Sequence, residues 1–428
     1  MTMLYERWRR VAQERGNELA LRDLASGQRW TFAELARRAE RLPKYDDPVV
    51  FPQSHGADFV FGVLRGWRDH TVVCPLEPKQ PPPPVRVPPV QCCHLKTTSA
   101  TTGQPRQIAF RAQQLAADAE NIMATMGLRP EWPNLGVISL AHSYGFSNLV
   151  LPLLLHGIPL ILAPSPLPEA VRQVAALEPA LTLPAVPALW SAWYQAGTLP
   201  EQVRLAISAG APLPAALERA VFEKAGLKIH NFYGSSECGG IAYDAASEPR
   251  PEDDCAGTPM RNVQVTLNED GCVQVTSRAV GETYWPDPDD ALGGGRFQTC
   301  DLAELKDGWV YLRGRLGDQI NVAGRKLSPA SIERVLAQHS AVKECLVFGL
   351  ASDDADRTEV VVACIAAGAR VGADELKQFL LARLPAWQVP RKWWFVDSLS
   401  VNQRGKLSRA EWRERFKKVI LASSPERG

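Results

Sequence analysis

The stretch Thr97–Arg106, TTSATTGQPR, sets five Thr and Ser hydroxyls, four threonines and a serine, among small residues, with a glycine, a Gln-Pro turn and a cation behind them. A loop of this kind can fold tightly round a polyphosphate, offering backbone N–H groups and side-chain O–H groups while Arg106 supplies charge. The spacing of a Walker A loop is absent. The same composition also marks ordinary surface loops, so the stretch has to be judged by its setting. Two other segments have similar potential: Ser208–Leu213 (SAGAPL) and Phe232–Glu237 (FYGSSE), each small and flexible and each following an apolar run.

The elements around these segments can be read from periodicity. Tyr5–Arg15 and Thr31–Arg41 read as helices, the second capped by Thr31 with Glu34 three residues on. Leu19–Leu24 and Gln28–Trp30 read as a hairpin across Ser26-Gly27. Val49–Phe51, the helix Phe59–Trp67 and Thr71–Cys74 make a βαβ-like unit, and the prolines of Glu77–Pro89 then force an extended connector that ends at the hydroxyl-rich loop. Beyond the loop, a helix at Arg111–Met126 is followed by alternating strands and helices: strands Gly136–Leu140, Pro159–Leu162, Ala180–Leu183, Val203–Ser208 and Leu227–Asn231, with helices Asn148–His156, Leu167–Leu177, Pro187–Tyr194 and Ala215–Ala225. That rhythm predicts an α/β fold with a doubly wound, mostly parallel sheet, in which ligands collect at the carboxyl ends of strands. Both Ser208–Leu213 and Phe232–Glu237 fall there.

From about residue 255 the pattern changes to Val263–Leu267, Cys272–Thr276 and Trp309–Leu312 between Asn, Asp and Gly turns, which predicts a small antiparallel, barrel-like subdomain. Gly314–Asp318 has the composition of a junction. Ile320–Val322, Pro329–Gln338, Cys345–Leu350, Val360–Ile365, Ala373–Arg383 and Trp393–Val396 then form an α+β module, with a disordered tail expected at Ser423–Gly428.

With 428 residues the chain is long enough for two to four folding units, and 48 basic against 47 acidic residues leave a formal charge of +1. No basic block favours nucleic acid as a partner. No apolar run reaches the ~18–20 residues of a membrane span, and Met1–Arg10 lacks the apolar core of a signal peptide, so a cytoplasmic location is expected. The nine cysteines show no CxxC pairing. Cys92-Cys93-His94 has no second cluster to complete a metal site, and free buried thiols are the better account.

Taken in order, the motifs resemble those of the adenylate-forming superfamily, which includes acyl- and aryl-CoA synthetases, peptide-synthetase adenylation domains and beetle luciferases. Thr98–Arg106 is similar to its phosphate loop, with Ala100 in place of a glycine. Ser208–Leu213 and Asn231–Glu237 are similar to its Gly-Ala-Pro-Leu and Tyr-Gly-x-(Ser/Thr)-Glu segments. Asp301, Gly314-Arg315, Ile320–Gly324 and Gly405-Lys406 are similar to its ribose, hinge, thiolation-face and catalytic-lysine motifs. The resemblance covers Tyr5 to about Phe416, with a first lobe that looks shortened.

The resemblance implies an N-terminal adenylation domain over 1–313, a hinge at 314–318 with Gly317 at its pivot, and a mobile C-terminal domain over 319–428. It implies an enzyme that joins a carboxylic acid, aromatic or fatty, to ATP as acyl-AMP and then passes the acyl group to the pantetheine thiol of CoA or of an acyl-carrier protein. Adenylate-driven ring closure and a non-catalytic binding role are the other readings. By the same resemblance, Thr98, Ser99, Thr101, Thr102, Gly103 and Arg106 hold the β- and γ-phosphates, and Glu237 ligates Mg²⁺ with Thr101 near the metal. Asp301 and Arg315 hold the ribose. Gly210, Ala211 and Pro212 face Phe232, Tyr233 and Gly234 across an adenine slot flanked by Asn231 and Ser235. Lys406 stabilises the adenylation transition state, and His142 stands as a gate near the carboxylate. The expected acid pocket is lined by Tyr144–Asn148, Ser208–Gly210 and Tyr233–Gly240. It shows no acid suited to pair with an α-ammonium.

Overall fold

The computed structural model describes residues 2–84, 88–98, 106–351, 359–399 and 407–423, the last four of these without their side chains. Six parallel strands form the centre of the main sheet, in the order Ile229–Ser235, Val203–Ser208, Leu181–Ala185, Asn134–Gly136, Leu160–Leu162 and Leu19–Asp23. The four inner strands are almost entirely buried, as strands covered by helices on both faces must be. The hairpin at Gln28–Thr31 closes one edge. The next helix, Phe32–Arg41, begins with the expected capping box: Thr31 Oγ1 accepts from the Glu34 N–H at 3.3 Å and Glu34 Oε2 from the Thr31 N–H at 2.8 Å.

At the other edge the sheet turns antiparallel. Ile229–Ser235 pairs with Gly239–Tyr243, and the path continues through Cys255–Pro259, Trp309–Arg315, Arg296–Lys306 and Cys272–Thr276 to Gln264–Leu267. The strands expected to form a barrel-like subdomain are therefore antiparallel, but along this path they extend the central sheet. The expected strand Leu227–Asn231 runs on to Ser235, because Gly239–Tyr243 supplies partners for Phe232 through Ser235. The strand expected at Gly136–Leu140 lies instead at Asn134–Gly136, the stretch that pairs with Leu160–Leu162, and only Gly136 is common to both.

A second sheet orders Thr283–Trp285, Gln107–Phe110, His94–Thr97, Val72–Val73 and Val49–Val50. Val49–Val50 and Val72–Val73 are parallel across the helix Ala57–Arg68, as the βαβ reading requires. His94–Thr97 and Gln107–Phe110 form a hairpin whose loop is the hydroxyl-rich stretch. All nine cysteines are free; most are buried, but Cys300 is exposed.

A buried charge cluster ties the parallel sheet to its extension. Glu218, fully buried in the helix Ala215–Ala225, pairs with Lys228 and accepts from Arg250 Nε at 2.7 Å. The Arg250 guanidinium also donates to the carbonyls of Leu213 and Cys255, each at 2.7 Å, so it fixes the end of the Gly-Ala-Pro-Leu segment.

The C-terminal module is a separate three-stranded sheet, Val342–Ala351, Glu359–Ala367 and Lys392–Val396, with the hairpin Ile320–Val322/Arg325–Leu327 and the helices Pro329–Leu336 and Ala373–Leu381. A further helix, Arg409–Ser423, was not expected from the sequence; of the expected disordered tail Ser423–Gly428, Ser423 closes this helix and 424–428 lie outside the described residues. At the junction the left-handed glycine is Gly314, φ +130°, where a Cβ would overlap Ser328 Oγ. Gly317, expected to be the pivot, lies in the short 3-10 turn Leu316–Asp318 with no positive φ. Arg409 fastens this turn to the module, donating to Asp318 at 2.8 Å and Glu333 at 2.6 Å. Across the junction, buried Asp254 pairs with Arg313 and accepts from Arg334 at 2.6 Å.

Two outcomes follow from these clusters. Glu218→Ala leaves Arg250 without a buried counter-charge and is expected to cost on the order of 3–5 kcal/mol in urea unfolding; a change below ~1 kcal/mol contradicts the cluster's role. Arg334→Ala removes a partly exposed partner, so stability falls by ~1 kcal/mol or less, while limited proteolysis within 314–318 accelerates. An unchanged cleavage rate would show that the Asp254 bridge does not restrain the junction.

Candidate active site

Asp301 lies on the long strand Arg296–Lys306, opposite Arg315 in the antiparallel ladder. Its Oδ1 accepts from Arg315 Nε at 2.8 Å and its Oδ2 from the Tyr233 hydroxyl at 2.7 Å. Burial, reinforced by the neighbouring Asp301 charge, holds the Tyr233 phenol well above its ordinary pKa, so it remains a donor. A carboxylate has further acceptor capacity after two such bonds. Gly210, Ala211, Pro212 and Gly234 are exposed beside it at the carboxyl ends of adjacent parallel strands, and Gly210 has φ +87°.

Successive residues of a strand face opposite sides, so Tyr233 turns to Asp301 while Phe232 turns inward against Tyr144, ring centroids 5.9 Å apart. Only one of the two aromatics expected in the adenine slot therefore faces Asp301. Asn231 is buried and donates to the Cys255 carbonyl at 3.2 Å.

Glu237 stands in the turn between Ile229–Ser235 and Gly239–Tyr243. Ser235 Oγ accepts from its N–H at 3.2 Å and its own carbonyl accepts from the Gly281 N–H at 2.8 Å, which fixes the turn. Its carboxylate accepts from the Tyr284 hydroxyl at 3.1 Å, the one bond to that group among the described residues. Burial and the Glu237 charge push the Tyr284 phenol pKa upward. Tyr284 reaches this position because Thr283–Trp285 pairs with Gln107–Phe110. Arg106 stacks on the Tyr284 ring at 3.5 Å and donates to Asp289 at 2.9 Å.

Thr98 and Arg106 close the hydroxyl-rich loop: the Thr98 N–H donates to the Arg106 carbonyl at 2.8 Å, and the Arg106 N–H to Thr98 Oγ1 at 2.9 Å. Ser99, Thr101, Thr102 and Gly103 lie outside the described residues, as does Lys406. The fold thus brings Glu237, Arg106 and the base of the loop together at the turn of a strand pair, and Tyr233, Asp301 and Arg315 together a short way back along it. The spacing is short: Tyr233 precedes Ser235, the last paired residue before the Glu237 turn, by two residues, ~7 Å of strand.

His142, half-exposed, faces Glu77 Oε1 at 3.3 Å, and Glu77 also accepts from the Ser139 hydroxyl. Glu77 is the first residue of the Pro-rich connector and was not singled out from the sequence; a lone acid before prolines carries no periodic signal. Ser143 Oγ lies 2.9 Å from Ser236 Oγ, beside Glu237.

A divalent ion fits the Glu237 end in its donor chemistry: one carboxylate with an oxygen to spare, to which phosphate oxygens and water would add the remaining ligands of a hard cation. Among the described residues no helix is long and apolar enough to cross a membrane.

Known proteins resemble this chain in sequence and in fold. Residues 53–288 match the AMP-binding enzyme family, and residues 331–406 match the AMP-binding enzyme C-terminal domain. The chain is 28% identical over 345 residues to a feruloyl-CoA synthase of Amycolatopsis sp., covering 76% of this chain and 70% of that protein. It is 28% identical over 335 residues to a 2-succinylbenzoate–CoA ligase of Bacillus mycoides, covering 74% and 69%. Among solved structures, ATP-bound MatB from Rhodopseudomonas palustris superposes with a TM-score of 0.83 at 20% identity, covering 97% of this chain and 99% of that one. The o-succinylbenzoate CoA synthetase MenE of Bacillus subtilis, solved with ATP and magnesium ion, gives 0.83 at 20% identity, covering 95% and 98%. With more than half its length matched by one family, and the next domain of the same enzymes following in order, the chain belongs to the AMP-binding enzymes.

Proposed function

We propose that the protein condenses a carboxylic acid with ATP to give acyl-AMP and pyrophosphate, then transfers the acyl group to the thiol of CoA. One observation carries the reading: Tyr233 and Glu237, four positions apart along one strand and its turn, each anchor a charged cluster, Tyr233 with Asp301 and Arg315 and Glu237 with Tyr284 and Arg106. Asp301 accepts from the ribose hydroxyls, a task suited to an acceptor-only group. Arg315 and the Tyr233 phenol hold that carboxylate in place. Exposed backbone at Gly210–Pro212 and Gly234 borders the adenine.

Two anions must approach each other in the adenylation step, and charge grows on the phosphoryl oxygens as the carboxylate attacks the α-phosphorus. Arg106, the hydroxyl-rich loop and Lys406 supply fixed donors and positive charge to those oxygens. Magnesium, held through Glu237, neutralises phosphate charge when bound. Its contacts with Asp289 and Tyr284 hold Arg106 beside the Glu237 partner. No strong base is needed for a carboxylate to attack. Two relatives are named for CoA thioesters, which supports CoA as the acceptor; a carrier protein's phosphopantetheine presents the same thiol arm.

The test is acid-dependent pyrophosphate exchange. Asp301→Ala is expected to raise the KM for ATP by about 10- to 100-fold, the worth of charge-assisted hydrogen bonds, and to abolish the wild-type penalty for 2′-deoxy-ATP. Lys406→Ala is expected to abolish exchange while sparing transfer from preformed adenylate. If Asp301→Ala exchanges like the wild type and discriminates 2′-deoxy-ATP equally well, the ribose assignment is wrong. Comparing free CoA with holo carrier proteins identifies the acceptor.

A further inference from the structure

Two walls run from the Glu237 turn into the protein and meet at one buried carboxylate. The helical wall starts at Ser143, against Ser236, and one turn later reaches Ser147, whose hydroxyl donates to Asp118 Oδ2 at 2.6 Å. The strand wall leaves the same turn through Gly239 and Gly240, and the Gly240 N–H points to Asp118 Oδ1 at 3.4 Å. Glycine is required on this wall: a Cβ on Gly239 would overlap Asp118, and one on Gly240 would overlap Met260 and crowd the Phe232 ring. The helical wall passes through a π-helical segment, Phe146–Val150, a local widening often found at functional sites.

Asp118 is 1% exposed and Lys96 5% exposed. The Lys96 ammonium lies 3.7 Å from Asp118 Oδ2, beyond hydrogen-bond range, and 4.6 Å from the centre of the Phe110 ring. Among the described residues no hydrogen bond reaches this ammonium, although it carries three donors. His94, on the same face of the strand as Lys96, is 1% exposed, and neither of its ring nitrogens has a hydrogen-bond partner among the described residues. Its ring packs on Phe146 at 4.4 Å. Unused donors on a buried charge are costly.

The geometry points to Lys96 and Asp118 as the specificity pair at the floor of the acid pocket, reading a hydroxyl at the far end of a single-ring aryl acid. This rests on the acid-activating function proposed above. A hydroxyl can donate to Asp118 and accept from Lys96, satisfying both at once. A second carboxylate would meet Asp118's charge, and a bare ring would leave both charges as they are. The glycine wall presents flat backbone, with Phe232 and Tyr144 beside it, which suits a planar ring. The depth from Ser143 to Ser147 is about one helical turn, ~5.4 Å, close to the length of one substituted ring.

The experiment measures pyrophosphate release with benzoate, 3-hydroxybenzoate, 4-hydroxybenzoate and terephthalate, using the full chain with ATP and magnesium. The wild type should favour one hydroxybenzoate over benzoate by ~100-fold or more in kcat/KM, because a site built for a hydroxyl rejects the analogue lacking it. Terephthalate should fall below that hydroxybenzoate. Lys96→Met and Asp118→Asn should each cut the hydroxybenzoate-to-benzoate ratio by at least ~10-fold. A ratio that stays constant while both acids lose activity together would mark the pair as structural and overturn the proposal. Should Lys96→Met fail to fold, Asp118→Asn keeps the side-chain volume, and the wild-type preference stands without any variant. A wild type that uses benzoate or terephthalate as well as the hydroxybenzoates, or only alkyl acids, overturns the pair's role and leaves acid activation intact. No pyrophosphate release with any acid, across aryl and alkyl panels, overturns acid activation and this proposal with it.

Discussion

A carboxylate clamped between a phenol and a guanidinium is the interaction on which the rest of the site depends. Asp301 belongs to the antiparallel extension, Tyr233 to the last parallel strand, and Arg315 to the end of the strand that enters the domain junction. One hydrogen-bonded trio therefore joins the sheet, its extension and the root of the C-terminal module. Because Asp301 is held by two partners from different elements, it is fixed in place before any ligand arrives, which is what the proposed ribose contact requires.

The phosphate end is built on the same principle from another sheet. Tyr284 enters as an added strand on the loop hairpin and touches Glu237 with its hydroxyl and Arg106 with its ring. An acid and a cation thus flank one aromatic side chain, and in the function proposed they hold opposite parts of a metal-bound polyphosphate. The hydroxyl-rich loop hangs from the strand that also carries His94 and Lys96. In the account proposed, the strand that leads to the phosphates is also the strand that floors the acid pocket.

Much of this was legible because the signals were local. The Thr31–Glu34 cap, the exact span of the helix Ala215–Ala225 and the run of buried parallel strands each follow from residues a few positions apart. The site residues were found differently, through an ordered set of motifs rather than through spacing. What stayed hidden was non-local. Arg296–Lys306 alternates poorly, since much of it is exposed on both faces, so its role as Asp301's strand could not be read from periodicity. Asp118 looks like any polar residue of an amphipathic helix until Lys96, Ser147 and Gly240 converge on it. Glu77 acquires meaning only beside His142, 65 positions away by numbering, and the glycine that the junction requires is Gly314 because Ser328 folds back over it.

A crystal structure with magnesium and a non-hydrolysable ATP analogue tests the central claim most directly. The account predicts ribose hydroxyls on Asp301, with the triphosphate running between Glu237 and the Thr98–Arg106 loop. A nucleotide bound elsewhere, leaving the Tyr233–Asp301–Arg315 trio in contact with solvent alone, would contradict it.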